Sequence, residues 1–174
     1  MFSDVRTVAN IMSKTSHDSE TPARGQQVIT ACALIHHNID GVEKVLVAKR
    51  AATKKFLPGV FELPGGHINW GEDIVEGLKR EVREELGAHI NVGDPYAAFT
   101  YTNEIKGSHS IEVVYFARCI DPIEKITLQP DNHSEFKWVS QEETATIGPT
   151  SDEELRSVIR DLAILNGQSI SLGM

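Results

Sequence analysis

The chain has 174 residues, 24% of them charged, and a formal net charge of −8, which suits one domain with a sizeable core. That acidity excludes a protein whose main task is to grip a phosphate backbone, so small anionic ligands are expected to bind only through a cation. No apolar stretch approaches the ~18 to 20 residues that span a bilayer, and Cys32 and Cys119 lack the spacing of a zinc site or a disulfide framework. The expectation is a soluble, cytoplasmic protein with two buried free thiols, partnered by neither a nucleic-acid polymer nor a membrane.

Residues 1–25 are rich in Ser, Thr, Asp and Asn, with Pro22 and Gly25 near the end, the composition of an arm or disordered leader. Residues 26–174 are expected to form a single domain. From Val28, "VITACALIHH", the turn-like "NIDG" and "VEKVLVAKR" read as a β-hairpin. The Gly- and Pro-rich "KKFLPGVFELPGGHINWGED" follows, with a short strand expected at Val60 to Leu63. A helix is expected from about Asp73 to Leu86: Asp73 and Glu76 have capping-box spacing, and Gly87 is a C-terminal stop. "YAAFTYTNEIKGSHSIEVVYFARCI" reads as two long strands around a turn at Lys106 to His109, and "SEFKWVS" as a further strand. Ser140 with Glu143, and Ser151 with Glu154, repeat the capping-box spacing; the second opens a final helix with Leu155, Val158, Ile159 and Leu162 on one face. Strands on both sides of a central helix, with another helix at the end, point to a mixed α/β or α+β sandwich.

Within the central helix, "REVREELG" places Glu81, Glu84 and Glu85 on one side. With Glu81 at zero and about 100° per residue, Ile74, Leu78, Val82, Val75 and Leu86 form an apolar stripe from about 20° to about 140°. Glu85 falls at about 40°, inside that stripe, and Glu81 at its edge. The opposite face carries Glu76, Lys79 and Arg83. Ordinary i,i+4 pairs, Glu76–Arg80 and Arg80–Glu84, account for Glu84 but leave the Glu81–Glu85 pair uncompensated at a half-buried edge. A hard divalent cation would compensate it, since clustered carboxylates and water are its preferred ligands. Gly77, beside the carboxylates, is expected to leave space for something to approach.

With its upstream context, "GGHINWGEDIVEGLKREVREELGA" resembles the Nudix box: Gly, five residues, Glu, seven residues, Arg-Glu, an aliphatic, any residue, Glu-Glu, any residue, Gly and an aliphatic. Gly66, Glu72, Arg80, Glu81, Glu84, Glu85 and Gly87 match every fixed position, with Val82 as the first aliphatic and Ala88 a small second one. "FELPGG" and "SEFKWVS" are also similar to the family, so the resemblance runs from about Val28 to Glu143. It implies a Nudix-like α/β/α sandwich with a mixed sheet, hydrolysing the diphosphate linkage of a nucleoside diphosphate joined to a group X with Mg²⁺ or Mn²⁺, and often dimeric.

By matching position, the resemblance makes Glu81, Glu84 and Glu85 metal ligands with the backbone at Gly65 and Gly66; it has Arg80 orient the cluster and Glu72 support it. The general base stays open among Glu81, Glu84 and Glu135. Lys49 and Arg50 end a strand where they can meet phosphates, and His67 follows the double glycine. Phe56, Phe61, Trp70 and Tyr101 have the chemistry to stack on a base; Phe61 reads as core and Trp70, in a Gly-flanked loop, as the better stacking candidate. Signatures of the ADP-ribose, NADH and coenzyme A subgroups are not found, so elimination points to a nucleoside triphosphate cleaved to monophosphate and pyrophosphate. A nucleotide sugar or other nucleoside diphosphate derivative, and a non-catalytic nucleotide sensor, stay open. An isomerase of the isopentenyl diphosphate type, which pairs a cysteine with a glutamate, is disfavoured by the strand-buried positions expected for both cysteines.

Overall fold

A computed structural model describes residues 24–147 together with Val158, Ile159, Leu162, Ala163 and Leu165, which are helical. The N-terminal segment through residue 23 and the Ser151 capping box lie outside the described residues. Strands β1 (Gln27–Ile39) and β2 (Val42–Arg50) form the expected hairpin. Its two loop residues, Asp40 and Gly41, have φ of 52° and 83°. Both lie in the left-handed region, as a type I′ turn requires, and Asp-Gly reaches it at low cost. Then come β3 (Phe61–Glu62), β4 (Gly65–His67), α1 (Ile74–Leu86), β5 (Ile90–Asn103), β6 (Ser108–Cys119) and β7 (His133–Val139).

The sheet runs β3-β2-β1-β6-β5, with β4 added to β1 and β7 to β2; β1 and β6 are parallel and the other pairs antiparallel. β1 is buried without a break from Thr30 to His36, as a central strand covered on both faces must be. Its side chains alternate between two cores. Ala31, Ala33 and Ile35 pack with Leu78, Val82 and Leu86 of α1, while Cys32 and Leu34 pack with Val45, Val47, Val114, Val158 and Leu162. The mixed sheet therefore has α1 on one face and the described part of the C-terminal helix on the other, the layering expected. No helix among the described residues is long and apolar enough to cross a membrane.

Two local expectations are corrected. The β5–β6 turn occupies 104–107 rather than 106–109, and β5 starts at Ile90, upstream of the apolar run. Gly93 and Pro95 masked that beginning; they are accommodated by register shifts flanking Pro95, on an edge strand where a missing N–H is tolerated. Cys119 is only half-buried, whereas Cys32 is buried. After Ser140 the chain makes a single 3₁₀ turn, Thr144–Thr146, with the Ser140 N–H donating to Glu143 at 2.9 Å.

Candidate active site

The site is assembled on α1 and the loop that leads into it. Asp73 caps the helix, accepting from the N–H groups of Val75 (2.9 Å) and Glu76 (3.1 Å), and Gly87 ends it at φ 60°. The stripe of Leu78, Val82 and Leu86 is fully buried against the sheet, and this fixes the rotation of the helix. Glu85 is thereby carried into the interior, Glu81 to its rim and Glu84 to the surface, in the order the helical spacing gives.

Arg80 is the hub. Its Nε and Nη2 donate to the two oxygens of Glu72 (2.8 and 3.0 Å), Nη2 also to the His67 carbonyl (2.9 Å), and Nη1 to Glu81 Oε1 (2.7 Å). Glu72 in turn accepts from the Asn69 N–H at 2.9 Å. The loop from His67 to Glu72 is thus clamped to the helix by a bidentate, charge-assisted contact. That contact, more than the Asn69 N–H, pulls the Glu72 carboxyl down to a pKa of about 2. The local pairs expected around Arg80 are only partly formed: Glu84 lies 3.7 Å away, while Glu76 pairs with Lys79 at 2.8 Å. An i,i+4 rule covers only the helix surface, whereas the loop folds back over it.

Glu81 and Glu85 behave as incompletely compensated charges. Burial raises the Glu81 pKa against the pull of Arg80, with Glu84 and Glu72 adding like charge. Burial raises that of Glu85 well above the carboxylate range; Glu62 adds to the rise, and the Gly65 N–H, 3.0 Å from Oε2, opposes it. β4 passes directly over the pair. A Cβ on Gly66 would stand 2.7 Å from Glu81 Oε2, and one on Gly65 would run into the Ala31 carbonyl and Cys32 Cα, so only glycine lets this backbone lie between β1 and the carboxylates. Gly77 has a different role from the one expected: the space beside it is filled by Ile68 and Glu72, whose atoms lie 2.7 and 3.0 Å from where its Cβ would be.

This donor set fits a hard cation. Buried carboxylates with raised pKa, beside backbone that can approach closely, are stabilised by a divalent charge. Among the described residues no three acidic, His or Cys side chains converge into a closed cage.

Of the remaining sequence candidates, Arg50, Phe56 and Tyr101 share one cavity, whereas Lys49, Glu135, His67 and Trp70 lie outside its lining. Arg50 is buried, donating through Nε to the Phe56 carbonyl (2.8 Å) and through Nη1 to Glu62 (2.9 Å), which also contacts His133 Nε2 at 3.0 Å. Lys49 and Lys137 flank Glu135 at 3.8 and 3.4 Å, and both ammonium groups lie over the Phe61 ring. Phe61 belongs to the core cluster on the face away from α1, so Glu135 stands apart from the helix carboxylates. His67 is buried and presents its carbonyl to Arg80; Trp70 is 86% exposed.

That cavity, of about 420 Å³, is also lined by Cys32, Glu62, Gly65 and Glu112, the last being the residue that sequence reasoning missed. Phe56 and Tyr101 stack at its wall, 6.1 Å apart and 16° from parallel. Burial lifts the Tyr101 hydroxyl well above its ordinary range and the Glu112 carboxyl to about 7. The signal was present in "SIEVVYFA": one carboxylate in a strand otherwise built to be buried.

The sequence matches the NUDIX domain over residues 28–162. Nucleoside triphosphatase NudI of Salmonella schwarzengrund (strain CVM19633) is 31% identical over 128 residues, covering 69% of this chain and 86% of that protein. The MutT protein from Methanosarcina mazei Go1 superposes with a TM-score of 0.67 at 25% identity, over 86% of this chain and 99% of that one. A Caenorhabditis elegans (C. elegans) Ap4A hydrolase shares the fold, with a TM-score of 0.65 at 22% identity, over 80% of this chain and 98% of that one.

Proposed function

Because the chain belongs to the NUDIX hydrolase family, we propose that it hydrolyses a nucleoside triphosphate to the monophosphate and pyrophosphate with the aid of Mg²⁺. The observation that carries this reading is the buried Glu85, held by the Gly65 N–H where β4 separates α1 from the cavity. The likeness to a nucleoside triphosphatase supports the choice of substrate.

Glu81, Glu84 and Glu85, with backbone carbonyls at Gly65 and Gly66, would hold the ion. Once bound, Mg²⁺ or Mn²⁺ supplies the positive charge that lets an acidic protein accept a polyphosphate, and it lowers the pKa of a nearby water. Arg80 and Glu72 keep Glu81 and the His67 carbonyl in register, so the loop does not have to reorganise when substrate arrives. Glu84, with its side chain 49% exposed, is the box glutamate best placed to take a proton from attacking water and release it to solvent. Glu135 is the weaker candidate for that role, since Lys49 and Lys137 occupy it. Trp70 is the exposed contact in the loop of the box and Arg50 lines the cavity while held by Glu62; His67 is buried, and Lys49 is engaged by Glu135.

The test is a panel of nucleoside triphosphates and nucleotide sugars assayed with Mg²⁺ for pyrophosphate and phosphate. At least one triphosphate should release pyrophosphate. Glu84→Gln should lower kcat about 10² to 10⁴-fold, and Glu85→Gln should abolish the rise in melting temperature that Mg²⁺ gives the natural sequence. Full activity in both variants, or no triphosphate turned over, would overturn the proposal.

A further inference from the structure

The cavity and the carboxylate helix share a wall. Gly65 lines the cavity and donates to Glu85, and Glu62, also in the lining, acts electrostatically on both Glu85 and Glu112. If a triphosphate is cleaved at α1, as proposed above, the nucleoside attached to it lies beside this opening. The volume suits a nucleoside, and the stacked Phe56 and Tyr101 rings offer an apolar wall to a base.

Of the buried polar side chains that line the cavity, Arg50 is engaged by the Phe56 carbonyl and Glu62, and the Glu112 carboxyl is the one suited to reading the edge of a base. Glu112 is 6% exposed. Its Oε2 accepts from the Thr30 hydroxyl at 3.4 Å, and the Cys32 thiol also donates to it. The groups that act on its protonation are Thr30 and Cys32 from β1 and Glu62 from β3, and Tyr101 from β5 interacts with it electrostatically; none of these is a cation. Burying an ionised carboxylate without a cation is costly, so burial shifts the group toward its neutral form. The rise to about 7 keeps that form well populated at neutral pH and dominant below it. A neutral carboxyl presents an O–H donor beside a C=O acceptor, and the proton can sit on either oxygen.

We propose that Glu112 is the base-reading residue of this hydrolase, pairing as a neutral acid with any nucleobase edge that sets a donor beside an acceptor and rejecting an edge whose ring nitrogen is blocked. The amino–ring-nitrogen edge of cytosine and adenine and the N–H–carbonyl edge of uracil and guanine both qualify, because the acid can reverse its own polarity. Selection therefore falls on the integrity of the edge rather than on which base carries it.

The experiment compares UTP with N3-methyl-UTP and GTP with N1-methyl-GTP in the full chain, in Glu112→Gln and in Glu112→Leu. The natural sequence should prefer the unmethylated partner by about 10-fold or more in kcat/KM, chiefly through KM, as expected when a built polar site loses its partner. Glu112→Leu should raise KM for UTP about 10-fold and bring each pair to parity. Glu112→Gln, whose amide is also a donor beside an acceptor, should keep most of the preference. Equal hydrolysis of methylated and unmethylated nucleotides by the natural sequence overturns the proposal without needing any variant to fold. A Gln variant as impaired as the Leu variant also overturns it, pointing to an ionised carboxylate. If no triphosphate is turned over, the proposed function fails first and takes this inference with it.

Discussion

Arg80 has partners on three sides: both oxygens of Glu72, the His67 carbonyl and Glu81. All four hydrogen bonds come from the planar fork of the guanidinium, so a lysine that keeps the charge cannot reproduce them. Arg80→Lys is expected to lower kcat/KM by about 10- to 100-fold, the usual cost of losing a group that orients metal ligands. Steady-state kinetics at saturating Mg²⁺ would measure this, with the melting temperature falling in the same variant. The Glu72 partner keeps its charge down to a pKa of about 2, below the ordinary value of 4.5. Its contribution is complete above pH 4.5 and lost only as pH falls toward 2, so the clamp stays closed across the neutral range. At this scale the helix wheel identifies Glu85 as inward and Glu81 as marginal, because that placement depends on helical period alone. The Arg80–Glu72 contact is not legible in the same way, since Glu72 lies in the loop before the helix and no helical period relates it to Arg80.

Between elements, the decisive contact is β4 against α1. Gly66 has ordinary extended backbone but no room for a side chain, since a Cβ would meet Glu81 Oε2 at 2.7 Å and Cδ at 2.8 Å. Gly66→Ala should push the Glu81 carboxylate aside while leaving the helix and its apolar stripe in place. The expected result is a Mg²⁺ affinity at least about 10-fold weaker by calorimetric titration, with a change in unfolding free energy of no more than about 1 kcal/mol in urea melts. Helix limits were legible because Asp73 and Gly87 punctuate them chemically. The start of β5 was not, because Gly93 and Pro95 look like loop residues until the edge position and register shifts that accommodate them are known.

At the scale of the molecule, two chemistries meet at β4: the carboxylate helix, and a cavity lined by residues of β1 to β6. Glu112 illustrates the consequence for folding. Its pKa of about 7 lies above the unfolded value of 4.5, so the native chain binds the extra proton between those limits. Stability contributed at this site is therefore fully present below pH 4.5 and declines as pH rises through 7. Glu112→Gln has no such proton to lose. Its stability relative to the natural sequence should increase from pH 5 to pH 8 by up to about 3 kcal/mol, the equivalent of the shift, as read from urea unfolding at each pH. A difference that did not change with pH would mean that Glu112 is not buried as an acid.

The sequence alone determined the carboxylate helix, its caps, the inward turn of Glu85 and the hairpin at Asp40–Gly41. Each follows from spacing within a dozen residues, where helical period, capping and turn chemistry act directly. The tertiary structure decided that Arg80 clamps Glu72, that Gly66 gives way to Glu81, that Glu135 lies on the opposite face, and that Thr30, Cys32 and Glu112 meet in one cavity. Those outcomes depend on which strands pair and in which register, and the parallel pairing of β1 with β6 joins residues about eighty positions apart. No local preference encodes such a pairing; it is selected only when both faces of the sheet are buried at once.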